Sequence, residues 1–153
     1  MDTCCSPGEA AAEPSHCAVC GTKGRRVELV TLKALLRPAA LERLTTEDYY
    51  FCSSASCTVV YFGPRETFRT NDVLVPVFQK CMEGSRTVCY CLEIGEDEVR
   101  SEVEPGGGSA SAERIKKLVE NERCACELRN PQGSCCLGNV AVIVRSAQRL
   151  CVT

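Results

Sequence analysis

The chain has 153 residues, a formal net charge of −2, 44% hydrophobic residues and 25% charged ones. That length allows one domain or two small ones. The slight excess of acid argues against a nucleic-acid partner, and no apolar run approaches the roughly 18 residues that a membrane span needs.

Residues 1–16 are rich in Ala, Pro, Ser and Glu without periodicity, which predicts a flexible tail. Met1 to Ala12 carries no Lys or Arg and no apolar h-region follows, so a secretory signal is not expected and a reducing, cytoplasmic location is. Gly21 and Gly24 bracket a tight turn, and Arg25 to Val30 alternates as a strand. Thr31 to Leu44 predicts helix, interrupted at Pro38, which suits the first turn of a second short helix. Tyr49 to Cys52 and Cys57 to Phe62 are β-rich runs joined by small residues, a hairpin with a cysteine at each side of its tip. Asp72 to Gln79 predicts a further strand, held to a sheet edge by Pro76.

Acids and bases balance up to Arg86, and the excess acid follows it. Glu93 to Glu104 holds six acids against Arg100, a pattern expected of a solvated helix face able to steer a basic partner. Gly106 to Gly108 marks a loop, and Ser111 to Arg123 predicts helix. Val140 to Val144 has strand propensity, yet its continuation to Leu150 and its start after Gly138-Asn139 also allow helix.

Cysteine occurs 14 times, whereas Trp is absent and Phe and Tyr number four each. So few aromatics give each half-chain a small core, and metal binding would supply folding free energy that the core lacks. In a reducing compartment, close cysteine pairs serve metals or redox chemistry more often than structural bridges. Cys17-Ala18-Val19-Cys20 and the hairpin pair Cys52 and Cys57 are two such pairs, each at a turn. Together they offer a tetrahedral, closed and therefore structural zinc site. A thioredoxin-type dithiol would need a βαβ context that is missing, and His16, the single histidine, is read as solvated.

The second constellation is Cys89 and Cys91 with partners among Cys124, Cys126, Cys135 and Cys136. Cys89 and Cys91 would lie about 6.6 Å apart on one face of an extended strand, so the backbone must curl for both to reach one metal. An iron–sulfur cluster needs four thiolates and six are offered, leaving two spare. A helix beginning at Cys136 would favour thiolate and cluster charge through its N–H groups. Cys81 and Cys151 adjoin apolar stretches and are read as core or bystander residues. Cys4 and Cys5 are soft-metal donors by type, though adjacent cysteines bend onto one ion only with strain, and they are read as incidental.

CAVCG, VTLKALLRPAALERL, YYFC, CTVVYF, VPVFQK, VCYC and CACELRNPQGSCCLGNV, taken in order, resemble the N-terminal domain of CopZ-type copper chaperones along nearly the whole length of that domain. Its latter half is similar to the bacterioferritin-associated ferredoxin family. The resemblance implies one mononuclear zinc, one [2Fe-2S] cluster and a helical final segment. Carried over residue by residue, it implies Cys89, Cys91, Cys126 and Cys136 as cluster ligands, with Cys124 and Cys135 as substitutes close by. The chain ends at Thr153 without the M-x-C-x-x-C loop that full-length members use for copper(I), so the part expected here is the one that moves an electron.

The fold class expected is therefore α+β. A flexible tail over 1–16 precedes a small β-rich, zinc-ribbon-like zinc-binding half over 17–83, packed with a mostly helical [2Fe-2S]-binding half over 84–153. The function expected is electron transfer or redox sensing linked to copper or other soft-metal homeostasis, including reduction of Cu(II), with a redox partner or copper-transport protein. The competing expectation is a thiol-based carrier of Cu(I) or Hg(II). No catalytic acid/base pair, nucleophile triad or P-loop is evident, so an enzyme is not expected.

Overall fold

Three runs of aromatic and β-branched residues, with Arg25 to Val27 ahead of them, build the first half. The computed structural model describes residues 15–151. Strands β1 (Arg25–Val27), β2 (Tyr49–Phe51), β3 (Val59–Phe62) and β4 (Thr67–Arg69) form an antiparallel sheet in sequence order. β2 and β3 pair Tyr50 with Phe62 and Phe51 with Tyr61. Helices α1 (Leu29–Leu35) and α2 (Pro38–Leu41) connect β1 to β2, and Pro38 takes the first position of α2, where its missing N–H costs nothing. Leu32, Leu35, Leu36 and Ala40 from these helices pack on Tyr49, Phe51, Tyr61 and Phe68 from the sheet to make the core of this half.

The second half opens with a short hairpin, β5 (Thr87–Cys89) and β6 (Ile94–Gly95), and continues in four helices: α3 (Glu96–Glu102), α4 (Ala110–Glu120), α5 (Cys126–Arg129) and α6 (Leu137–Leu150). Ser109 caps α4 by accepting from the Ala112 N–H. Val140, Ile143 and Ala147 fall on one face of α6 at helical spacing and are buried. Val140 and Ile143 join Val88, Ile94, Val99 and Ile115 in a separate core. The final segment is thus a helix, since its buried positions recur at three and four rather than at two.

The two halves meet where α1 packs on α5. The Tyr61 hydroxyl donates to the Pro131 carbonyl at 2.6 Å. Gly133 adopts φ +69°, and a Cβ there would stand 3.2 Å from both Thr31 Oγ1 and Val27 Cγ1. The loop between α5 and α6 is therefore laid directly on the zinc-binding half.

Three expectations are corrected. The strand expected over Arg25 to Val30 stops at Val27, because Leu29 already opens α1. Asp72 to Gln79 is not a strand: its backbone groups go to Leu35, Arg37 and Tyr90, leaving a single bridge between Leu36 and Val73 and short 3₁₀ turns at either end. β4 was not expected, because three residues with polar ends carry too little alternation to read. The acidic run is no plain solvated face. Glu96 is wholly buried, accepting from Arg86 Nε at 2.6 Å and Arg100 Nη2 at 2.7 Å. Glu102 accepts from the Ser109 and Ser111 hydroxyls.

Candidate metal centres

The Cys17 to Gly24 turn curls because Gly21 takes φ +74° and returns its N–H to the Cys17 carbonyl at 2.7 Å. Cys52 is set by the β2–β3 ladder through its N–H on Val60, and Cys57 by its N–H on Ser54. These two turns bring the Sγ atoms of Cys17, Cys20, Cys52 and Cys57 all within 4.8 Å of one another. Cys20 and Cys52 lie 3.6 Å apart. Four thiolates on a tetrahedral zinc, with Zn–S bonds of about 2.3 Å, would be separated by about 3.8 Å, so the set fits that ion with shifts of at most about 1 Å.

Cys17, Cys52 and Cys57 are buried among Val59 and Phe62, while Cys20 is exposed. Burial pushes the Cys52 thiol up to about 12 and raises Cys57 as well. Thr22, through its hydroxyl and then its backbone, lowers Cys20 to about 6. Cys20 is thus the ready thiolate, and the buried thiols give up their protons when a cation replaces them.

In the second half, Cys89 closes β5, Cys91 lies in the hairpin turn, Cys126 begins α5 and Cys136 is the N-cap of α6. The turn is completed by Glu93 at φ +55°. Cys91 Sγ stands 3.9 Å from Cys126 Sγ and accepts from the Ala125 N–H at 3.3 Å. Cys136 faces both Cys89 and Cys126. Its thiol hydrogen bonds hold those two down to about 6 while its own proton is retained far more strongly. Backbone N–H groups of Leu92 and Cys91 point at Cys89, and that of Cys136 at Cys126. Burial raises Cys91 to about 11.

Cys89, Cys126 and Cys136 are buried, Cys91 and Cys124 half-buried, and Cys135 exposed. Cys91 thus neighbours Cys126, and Cys136 neighbours both Cys89 and Cys126, but among the described residues only Cys17, Cys20, Cys52 and Cys57 close to within 4.8 Å of one another; Cys124 lies beside Cys126 and Cys135 is exposed. Cys81 is half-buried; Cys151 is exposed and belongs to no core. Cys4 and Cys5 lie outside the described residues. His16 pairs its backbone with Lys23 and is half-buried.

Sequence reading missed the groups that hold these cysteines in place. Gln132 donates to the carbonyls of Ser134 at 3.3 Å and Cys135 at 2.9 Å, and accepts from Gln79 and Asn139. It thereby fixes the loop that enters α6. Tyr90, between two of the cysteines, donates to the Pro76 carbonyl at 2.7 Å and accepts from the Phe78 N–H. A buried glutamine has no hydropathy signal, and Tyr90 reads as an ordinary strand aromatic.

The sheet, the turn and the four converging thiols define a zinc-binding domain of the four-cysteine kind. Residues 14–74 match the family model described as a zinc binding domain, the CopZ type. The chain is 32% identical over 121 residues to the copper chaperone CopZ of Archaeoglobus fulgidus, a match covering 79% of this chain and 57% of that protein. It thus spans little more than half the length of that relative. The X-ray structure of the CopZ N-terminal domain from the same organism superposes with a TM-score of 0.69 at 29% identity, covering 84% of this chain and 96% of that one.

Proposed function

We propose that the chain is a zinc-stabilised one-electron carrier of copper homeostasis, with Cys17, Cys20, Cys52 and Cys57 holding zinc and Cys89, Cys91, Cys126 and Cys136 holding a [2Fe-2S] cluster. The observation that carries this reading is the pairing of Cys91 Sγ with Cys126 Sγ at 3.9 Å, with Cys136 beside Cys89 and Cys126 and the Ala125 N–H donating to Cys91 Sγ at 3.3 Å. Hydrogen bonds of that kind stabilise charge on sulfur and tune potential. Likeness to a copper chaperone supports the link to copper.

A [2Fe-2S] cluster supplies reversible one-electron transfer when bound. The protein's own groups do the rest. Val88, Ile94 and Val140 exclude water from Cys89 and Cys136, and Ala125, Leu92 and Cys136 supply N–H donors. The half-buried Cys91 leaves one side open for exchange. The zinc-binding half, over 17–83 and zinc-ribbon-like in its paired turns, acts as a rigid support for the half over 84–153. Among the described residues no helix is long and apolar enough to cross a membrane. The acceptor in this reading is Cu(II), reduced to Cu(I) before a copper-transport protein takes it, and the chain is a carrier rather than an enzyme.

The test is visible absorption of anaerobically purified protein before and after dithionite, with iron, sulfide and zinc assayed on the same sample. Brown protein that bleaches, with two iron and one zinc per chain, is expected. Colourless protein with zinc alone after reconstitution would overturn the electron-transfer reading and leave a thiol-based carrier of Cu(I) or Hg(II).

A further inference from the structure

Two of the acids expected to guide a partner are engaged in the fold, Glu96 on Arg86 and Arg100 and Glu102 on Ser109 and Ser111, while Glu93, Asp97, Glu98 and Glu104 stay exposed. Against an overall charge of −2, one surface beside the second set of cysteines is lined by cations without acids, although exposed Glu93 and Glu122 stand at its edges. A shallow groove of about 300 Å³ is lined by Leu92, Arg114, Lys117, Leu118, Asn121 and Arg123, three cations around two leucines with no acid in its wall. Arg114, Lys117, Leu118 and Asn121 recur at three and four residues, a single stripe along α4 and its C-terminal cap. Lys117 and Arg123 are exposed and, among the described residues, no carboxylate lies within salt-bridge reach of them, while Arg114 reaches Glu98 at 3.5 Å.

The place of this groove matters as much as its charge. Leu92 directly follows Cys91 and Arg123 directly precedes Cys124, the two half-buried cysteines of a set whose other inward members are buried. The groove therefore lies next in sequence to the two least buried of the inward cysteines. Both non-glycine residues with positive φ among the described residues flank it, Glu93 at +55° after Leu92 and Glu122 at +53° before Arg123. The chain accepts an unfavourable backbone on each side of the segments that present Leu92 and Arg123.

We infer that this groove is the docking site for an acidic redox protein, with a carboxylate-rich rim meeting Arg114, Lys117 and Arg123 and an apolar centre covering Leu92 and Leu118. The inference rests on the electron-transfer reading above and names the partner of that site. Apolar centre and charged rim is the usual division of labour in transient interfaces, and charge of this kind sets encounter rate more than affinity.

The test uses the full chain with its cluster reconstituted, and two probes of opposite charge: ferricytochrome c, which is basic, and its succinylated, acidic form. The cluster is first reduced with stoichiometric dithionite, and one electron then passes from it to the haem, the cluster returning to its oxidised state as iron(III) of the haem becomes iron(II). Complex formation with each probe is followed in parallel by sedimentation. The expected result is that the acidic probe binds and is reduced faster at low ionic strength, and that added salt removes the advantage. The double variant Lys117→Glu with Arg123→Glu should lose about tenfold in that rate. Lys33→Glu with Arg37→Glu, the same charge change on the zinc-binding half, should lose far less. Preference for the basic probe, or equal losses in both variants, would overturn the inference while leaving the cluster in place. So would a variant whose reduction potential moves while binding does not, since the cations would then serve only to offset charge at the sulfurs. A chain that takes up no cluster fails earlier, in its absorption spectrum, and brings down the electron-transfer reading and this inference together.

Discussion

Replacing Glu96 by glutamine should cost more than any exposed charge in the protein. Its carboxylate has no solvent exposure and accepts four hydrogen bonds: Arg86 Nε at 2.6 Å, Gly84 N at 2.9 Å, and Arg100 Nε and Nη2 at 3.0 and 2.7 Å. Glutamine keeps the volume but removes the charge and turns one acceptor into a donor facing cations. Removing one member of a buried ion pair costs about 3 to 5 kcal/mol, and at about 2 to 4 °C per kcal/mol for a chain of this size the melting temperature should fall by roughly 10 °C at pH 7. Burial alone would raise the Glu96 carboxyl. The Arg86, Gly84 and Arg100 hydrogen bonds outweigh it, so the group sits below its ordinary value. A lowered carboxyl contributes stability that is fully present above the unfolded value of about 4.3 and is lost as pH falls through the folded value. The gap between wild type and variant should therefore begin to narrow as pH falls below about 4.3 and close only below the lowered folded value. Melting both, zinc-loaded, across pH 3.5 to 7.5 checks this. A shift under 2 °C at neutral pH, or a gap that widens in acid, would refute the reasoning.

Further outcomes follow from other sites. Cys52→Ser should abolish stoichiometric zinc binding and unfold the four-stranded sheet, read by zinc assay and circular dichroism, because three thiolates leave a closed site incomplete. Thr31 Oγ1 is buried and finds no hydrogen-bond partner among the described residues, so Thr31→Val should stabilise by about 1 kcal/mol in urea unfolding. Gly133→Ala should destabilise by about 2 kcal/mol in the same assay, since alanine meets both the positive φ and the side chains of Val27 and Thr31. Cys151→Ser should leave zinc and iron content unchanged.

Much of the first half was legible because its signals are local. Cys17 and Cys20 sit either side of a turn that Gly21 requires, and Cys52 and Cys57 flank a hairpin whose runs are aromatic. Pro38 marked the helix break by its own covalent geometry. The final helix was ambiguous because valine and isoleucine fit strands as well as helices, and only the burial of Val140, Ile143 and Ala147 decides the period. The Asp72 to Gln79 segment misled because its alternation is real but its hydrogen bonds run to α1, the α2 entry and Tyr90, none of which propensity registers. The acids misled for a similar reason: composition counts charges, and only tertiary structure shows that Glu96 lies between two arginines.

The laying of the α5–α6 loop on Thr31, Val27 and Tyr61 gives the protein an order of manufacture. In the electron-carrier reading proposed above, the backbone that delivers Cys136 leans on a surface whose firmness would depend on four thiols elsewhere closing on an ion. A cell short of zinc would then produce chains that are poor recipients of iron even where iron is plentiful. Zinc-depleted protein given iron and sulfide first should mature more slowly than protein given zinc first, and equal rates would show that the two halves ripen independently.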